Sequence, residues 1–191
     1  RPVNETDEWL GQGLARMHRY SRPAFGWDVD NVIGNLLQPN RWQENWMAFY
    51  REQRLAVQAA YAEQRGRLPR RRQQKLMTLL DRLDQYLPDD VTPSLLHGDL
   101  WGGNWMVGPG GKPYLIDPAV FYGDRLMDLA FTEYFGGYSR RFYAAYHEAW
   151  PIPSYYEDVK PLYQLYYVLV HLVLFGESYG PATDSILSRY V

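Results

Sequence analysis

The stretch that most constrains this chain runs from Leu95 to Pro118. Leu95-Leu96 leads into His97-Gly98-Asp99, Asn104 follows that Asp by five residues, and a second apolar pair, Leu115-Ile116, runs into Asp117-Pro118. Between them Gly108-Pro109-Gly110-Gly111 is a turn sequence, so residues 104–107 and 113–116 read as the arms of a hairpin, with 94–97 a short strand before it. A hairpin of set length fixes the separation of Asn104 and Asp117. The chain must therefore bring two carboxylates and an amide together at one end of a small β element, and enclose that element in helices, because most of the remainder has helical periodicity.

Residues 4–19 predict a helix: Asn4 or Thr6 can cap it, Glu5, Asp7 and Glu8 suit its first turn, and Leu10, Leu14 and Met17 share a face. His18, one residue beyond that stripe, reads as a packed or solvated helix-end histidine. From Ser21 to Asn40 there is no period, and Pro23, Gly26, Gly34 and Pro39 predict a long loop. In it Trp27, Asp28, Asp30 and Asn31 either face an acceptor or make Asx turns over a buried Trp. Trp42, Trp46, Phe49, Tyr50, Val57, Ala60 and Tyr61 keep one face apolar from Arg41 to Gly66, predicting one long helix or two joined ones. The basic run Arg65, Arg67, Arg70, Arg71, Arg72 and Lys75 reads as a solvated face rather than an anion patch. Leu76, Leu79, Leu80, Leu83 and Leu87 mark a further helix, closed by Pro88.

Beyond the hairpin, Asp124 can cap a helix bearing Leu126, Leu129, Ala130 and Tyr134, and Ser139 can cap one carrying Phe142, Tyr143 and Tyr146. Residues 158–175 are apolar on almost every side. Gln164 and His171 interrupt them, short of the roughly 18 uninterrupted apolar residues of a membrane span, so they predict a central helix. His147 and His171 read as packing residues. The fold class is mainly α with a small β-hairpin (α+β).

At 191 residues and 46% hydrophobic, the chain suits one globular domain. A net charge of −2 supplies no field for nucleic acid or anionic lipid, so neither nucleic acid nor membrane is an expected partner. With no cysteine there is no disulfide framework or thiolate metal site, and no apolar leader follows a basic start; the expected compartment is the cytoplasm. The 17 tyrosines and seven tryptophans exceed what a core requires and predict aromatic-lined grooves.

The spacing of the central stretch suits phosphoryl transfer, which needs a carboxylate near the acceptor hydroxyl and hard oxygen ligands for Mg²⁺. Asp99 is placed as the base, Asn104 and Asp117 as metal ligands. The plainer reading makes His97-Gly98-Asp99 a polar turn, His97 a satisfied buried histidine and Asp117 the cap of the next helix; Asn104 and the apolar-Asp-Pro end of the hairpin favour the phosphoryl-transfer reading. Trp101 can stack on a sugar face and Gly102 lets a sugar approach the backbone; alternatively Trp101 packs the loop down.

Further stretches extend the pattern over nearly the whole chain. Asp99-Leu100-Trp101-Gly102-Gly103-Asn104, Ile116-Asp117-Pro118-Ala119, Phe121-Tyr122-Gly123-Asp124-Arg125 and Phe135-Gly136-Gly137-Tyr138 resemble the fructosamine (ketosamine) kinase family, relatives of the aminoglycoside phosphotransferases. Asn31-Val32-Ile33-Gly34, Gln38-Pro39-Asn40, Arg54-Leu55 and Leu162-Tyr163-Gln164-Leu165 agree with it, and Pro118 stands where aminoglycoside and choline kinases usually carry an aromatic. The resemblance implies a protein-kinase-like fold, ATP and Mg²⁺ as cofactors, transfer to a sugar hydroxyl of a small or protein-bound ketosamine, and Asp128 as a structural acid. Leu126 stands where relatives tend to have Glu.

A complete kinase of this fold also carries a Gly-rich loop and a strand Lys. Here the only lysines are Lys75, Lys112 and Lys160, none after a Gly-rich hairpin. Residues 1–191 are therefore expected to be the C-terminal lobe of a larger protein, inactive alone, with most ATP-gripping residues in an absent N-terminal lobe. The alternatives are a kinase for an aminoglycoside- or choline-like alcohol, a non-catalytic ligand-binding module, and a metal-dependent hydrolase using His97, Asp99 and Asp117.

Overall fold

The apolar run near the C-terminus becomes the helix on which the others pack. In the computed structural model, which describes residues 1–191, the elements in chain order are α1 (Thr6–His18), β1 (Asn31–Ile33), β2 (Leu36–Gln38), α2 (Trp46–Phe49), α3 (Ala56–Gln64), α4 (Arg70–Asp81), β3 (Ser94–Leu96), β4 (Trp105–Val107), β5 (Pro113–Leu115), β6 (Phe121–Gly123), α5 (Leu126–Tyr134), α6 (Arg140–Ala149), α7 (Tyr156–Phe175) and α8 (Gly180–Tyr190). The strands form three antiparallel pairs, β1 with β2, β3 with β6, and β4 with β5. The expected hairpin and helices are present.

Helix α7 buries residues on all sides, from Leu162 and Tyr163 to Leu172 and Val173, and stops at Gly176, whose φ of 93° only glycine adopts freely. Each such Leu or Val contributes about 1.5–3 kcal/mol. Helix α5 lies against it, with Phe131 stacked on Tyr167 at 3.8 Å and 4°. No helix is long and apolar enough to cross a membrane.

Four local expectations are corrected. Neither Asn4 nor Thr6 caps α1: Thr6 Oγ1 donates to the Gly111 carbonyl at 2.7 Å and accepts the Val3 N–H at 2.9 Å. The loop from Ser21 to Asn40 contains β1 and β2, with Val32 opposite Leu37, strands too short to show a period. In that loop Asp30 accepts the Asn40 N–H and Trp27 stacks on Tyr122, the turn-and-packing reading, while Asp28 is exposed. The long helix begins at Trp46, capped by Asn45, and passes through π turns at Tyr50–Leu55 into α3; Trp42 lies outside it. Arg72 of the basic run is only 3% exposed, paired with Glu177 at 2.7 Å and Asp184 at 2.8 Å where α4 meets α8.

Helices α1 and α6 approach through Gly11, where a Cβ would lie 2.3 Å from the Phe142 carbonyl and 3.0 Å from the Tyr146 nitrogen. Gly11→Ala should therefore cost roughly 1–3 kcal/mol by overpacking. Gly13→Ala, with nothing within 4 Å of its Cβ, should be neutral or slightly stabilising. Thermal denaturation of the two variants checks this; equal melting temperatures would contradict it.

Candidate active site

Strands β3 and β6 bring the two ends of the motif together. Leu96 pairs with Phe121, so the chain leaves β3 at His97 beside the chain approaching β6, and the Ala119 N–H donates to the His97 carbonyl at 2.9 Å. At Gly98 φ is 82°, and a Cβ there would lie 2.0 Å from the Ala119 carbonyl oxygen, so only glycine fits. From the first turn of α5, Asp128 accepts the His97 N–H at 2.8 Å on one oxygen and the Gly98 N–H at 2.9 Å on the other. His18 of α1 meets Asp128 at 3.0 Å through Nε2 and Tyr146 at 2.8 Å through Nδ1. This buried set holds the turn that presents Asp99. Burial alone would raise the Asp128 carboxyl, but the hydrogen bonds and charge of His18, with His97 and the Gly98 N–H, hold it below the usual carboxylate range.

His97 is buried, and both ring nitrogens are engaged: Nε2–H donates to the Ile116 carbonyl at 2.8 Å and Nδ1 accepts the Asp99 N–H at 3.2 Å. It is a structural latch between loop and hairpin. No group of three His, Cys, Asp or Glu side chains is arranged to hold a metal. The hydrolase alternative needs His97 as a metal ligand, and both of its ring nitrogens are committed to backbone groups instead.

The structure brings Asp99, Asn104 and Asp117 together. Asn104 Nδ2 donates to the Asp99 carbonyl at 2.8 Å and to Asp99 Oδ2 at 3.0 Å, and reaches the Asp117 carbonyl at 3.5 Å. With the amide nitrogen so committed, Asn104 Oδ1 is left as a free acceptor. Burial pushes the Asp99 carboxyl up to about 7; the Asn104 amide opposes the rise and the charges of Asp117 and Asp128 add to it. Asp117 is exposed and is the one non-glycine residue with positive φ, 54°. An aspartate tolerates that conformation at a cost of about 1 kcal/mol. The helix-cap reading of Asp117 does not hold, since α5 starts nine residues later with Asp124 Oδ1 accepting the Leu126 N–H. An amide oxygen and an exposed carboxylate are hard donors that fit Mg²⁺, which takes few protein ligands and completes its shell with water and phosphate oxygens.

Beside this cluster lies a groove of about 500 Å³, lined by Trp101, Phe135, His171, Phe175 and Tyr179 with Gly102, Gly136 and Gly137. Trp101 is 42% exposed, its indole lying over Gly103 and edge-on to Phe135 at 6.4 Å. The Cβ that Gly102 lacks would meet the Gly136 carbonyl at 2.9 Å, so this glycine lets the catalytic loop abut the turn after α5. His171 donates through Nδ1 to the Tyr167 carbonyl at 2.7 Å, and burial lowers its pKa against that bond.

A model described as fructosamine kinase matches residues 2–191. The chain belongs to the fructosamine kinase family. Among its relatives, a "Probable ketoamine kinase" of Lactiplantibacillus plantarum is 46% identical over 183 residues, covering 95% of this chain and 65% of the relative. A Thermobifida fusca crystal structure, provisionally described as a fructosamine-3-kinase, superimposes with a TM-score of 0.92 at 35% identity, covering 98% of this chain and 65% of that one. A macrolide 2'-phosphotransferase type I shares the fold, with a TM-score of 0.51 at 15% identity over 97% of this chain and 58% of its own. The chain thus spans just under two thirds of the length of the family members it matches, and its helix-rich architecture is that of kinase-like phosphotransferases.

Two histidines of this family member that the sequence reads as packing residues have further partners, one beneath the site and one in its groove. His18, read as a helix-end histidine, grips Asp128, and His171, read as packing, lines the groove. His18 offered one signal, a polar residue next to an apolar helical stripe; His171 offered none, standing 70 residues from Trp101.

The Asp128 network has a testable pH signature. A carboxyl with a depressed folded pKa contributes stability above its unfolded pKa and loses it as pH falls through the folded value. Asp128→Asn should cost roughly 3 kcal/mol at pH 7. That difference from wild type should shrink below about pH 4. Urea denaturation across the pH range measures it; a difference independent of pH would contradict the ionic reading.

Proposed function

We propose that residues 1–191 form the C-terminal, catalytic-loop lobe of an ATP- and Mg²⁺-dependent ketosamine kinase of the cytoplasm. Its reaction would be transfer of a phosphoryl group to a sugar hydroxyl of a fructosamine- or ribulosamine-type ketosamine. The observation that carries this reading is the hydrogen bond from Asn104 Nδ2 to Asp99 Oδ2, within reach of the Asp117 carbonyl. That contact fixes the Asp99 carboxylate beside the two oxygen donors that suit a metal.

In this reading Asp99 accepts a hydrogen bond from the acceptor hydroxyl, orients it in line with the γ-phosphorus and takes its proton as the new P–O bond forms and the bond from the γ-phosphorus to the β,γ-bridging oxygen breaks, with ADP as the leaving group. Its raised pKa suits a base working near neutrality. Asn104 Oδ1 and Asp117 would hold Mg²⁺, which supplies charge neutralisation at the phosphate oxygens. Trp101 and Gly102 border the acceptor, with the indole as a platform for a sugar face. The groove has no carboxylate among its lining residues, which disfavours a polycationic aminoglycoside. Its aromatic walls also suit a quaternary ammonium alcohol, and this is the second reading worth testing.

The nucleotide's remaining contacts are assigned to the third of the relatives' length that lies outside this chain. Lys75 bonds Ser188 and Lys160 pairs with Glu133, both away from the motif, so neither serves as a phosphate lysine. Met106 and Tyr114 face each other across the β4–β5 hairpin, about half exposed, and Ile116 follows on the same side next to Asp117. This apolar face suits a purine ring and a covering lobe.

The test is phosphate transfer from ATP with Mg²⁺ to a panel of ketosamines, aminoglycosides and choline. It compares this chain, a version with its native upstream sequence, and that version carrying Asp99→Asn. Only the longer wild-type protein should turn over. Asp99→Asn should lower kcat about 10²–10⁴-fold. Its melting temperature should be unchanged or higher, because a desolvated charge is removed. Turnover of choline but no ketosamine would transfer the assignment to the second reading, and ligand binding without turnover would favour a binding module.

A further inference from the structure

Two arginines are buried, and they differ in one respect. Arg72 is neutralised by two carboxylates; Arg54, fully buried, makes no ion pair. Isolating a cation this way costs several kcal/mol unless the geometry compensates. The π turns at Tyr50–Leu55 carry Arg54 inward, where its guanidinium stands 3.9 Å from the centre of Phe121, the first residue of β6. One of its terminal nitrogens donates to the Pro39 carbonyl at 2.7 Å and the other to Asn40 Oδ1 at 2.7 Å. Arg54 therefore fastens the end of the β1–β2 hairpin against β6.

That hairpin reaches the segment after Asp117. Gln38 Nε2 donates to the Ala119 carbonyl at 3.1 Å and to Asn31 Oδ1 at 2.8 Å; Asn31 Nδ2 donates to the Val120 carbonyl at 2.7 Å. Tyr166 of α7 completes the set by donating to Gln38 Oε1 at 2.6 Å. Both consecutive carbonyls are thus held by amide side chains from one hairpin. The other restraints on this stretch are the backbone bonds from the Ile116 N–H to the Asn104 carbonyl and from the Ala119 N–H to the His97 carbonyl, and the side-chain bonds of His97 Nε2 to the Ile116 carbonyl and of Asn104 Nδ2, at 3.5 Å, to the Asp117 carbonyl. Asp117 and Pro118 lie between them, with Asp117 in the left-handed region.

We infer that Gln38 and Asn31, fastened by Arg54, are positioning residues that hold the Ala119–Val120 backbone and so aim the Asp117 carboxylate at the metal. This rests on the metal role proposed for Asp117. It gives Asn31, Gln38-Pro39-Asn40 and Arg54 a task the catalytic assignment leaves open: none carries chemistry, yet Asn31 and Gln38 bond the backbone two and three residues beyond that ligand, and Arg54 ties Pro39 and Asn40 to the ring of Phe121. Supports of this kind typically change metal affinity roughly 10–100-fold.

The test uses the full-length protein with its native upstream sequence, Mn²⁺ as the probe and a non-hydrolysable ATP analogue. Free Mn²⁺ is counted by electron paramagnetic resonance for wild type, Gln38→Met, Asn31→Ala and Asp117→Asn, with amide exchange followed across residues 117–121. Gln38→Met keeps the volume and removes the donor; Asn31 is only half-buried, so Asn31→Ala carries the test if Gln38→Met does not fold. Both should weaken Mn²⁺ binding roughly 10-fold or more and speed exchange around Ala119. At saturating Mg²⁺ the KM for the ketosamine should stay within twofold of wild type. Loss of Mn²⁺ binding in Asp117→Asn with wild-type binding in both hairpin variants overturns the positioning role alone. Wild-type binding in Asp117→Asn overturns the metal assignment and this inference with it.

Discussion

A carboxylate with no solvent contact, Asp128, organises the site while standing outside it. It receives two consecutive backbone N–H groups, His97 and Gly98, one on each oxygen, and an amide in its place would turn its NH₂ toward one of those donors. Gly98 must be glycine because the turn that offers those two donors runs against the Ala119 carbonyl. The position of Asp128 is in turn set by α5, whose start is fixed by Asp124 and whose body is wedged against α7 by the Phe131–Tyr167 stack. His18 ties α1 into the same point. Packing of the helical core thus becomes the placement of Asp99.

The motif was legible because its chemistry constrains residue type and spacing together. His97-Gly98-Asp99, Asn104, the glycine turn and Asp117 fall on a loop and hairpin in the sequence pattern, and the fold places them on that loop and hairpin. What it missed had no periodic signal. Strands β1 and β2 have three residues each, too few for alternation to register. Arg72 lay hidden in a basic run, since neither of its acidic partners, Glu177 and Asp184, is near it in sequence. The groove is built from loops after β3 and α5 and from the end of α7, a convergence that only the packed fold creates.

The site divides into two electrostatic regions. On one side Asp99, Asp117 and Asp128 concentrate negative charge around a small volume, and the rise in the Asp99 pKa reports their mutual repulsion on top of burial. Such a region gains most from a cation. On the other side the groove is aromatic and free of formal charge. No Lys or Arg lines the groove, Arg72 and Lys160 are held in ion pairs, and Arg54 is enclosed by rings beneath β6.

Hydrogen-bond accounting separates the atoms that build the loop from the atoms that can act. Buried polar groups are almost always paired, so an unpaired one at a site is informative. Both nitrogens of His97 are committed to backbone, both oxygens of Asp128 to loop amides, and the amide nitrogen of Asn104 to Asp99. What remains is Asn104 Oδ1, the second oxygen of Asp99 and the exposed carboxylate of Asp117. All three are hard acceptors offered by side chains whose other atoms or backbones are fixed from beneath. Asp117 is the least supported through its own side chain, and its left-handed backbone is the part that needs outside restraint. The amide donors of Gln38 and Asn31 arrive at its following carbonyls, where that restraint is required.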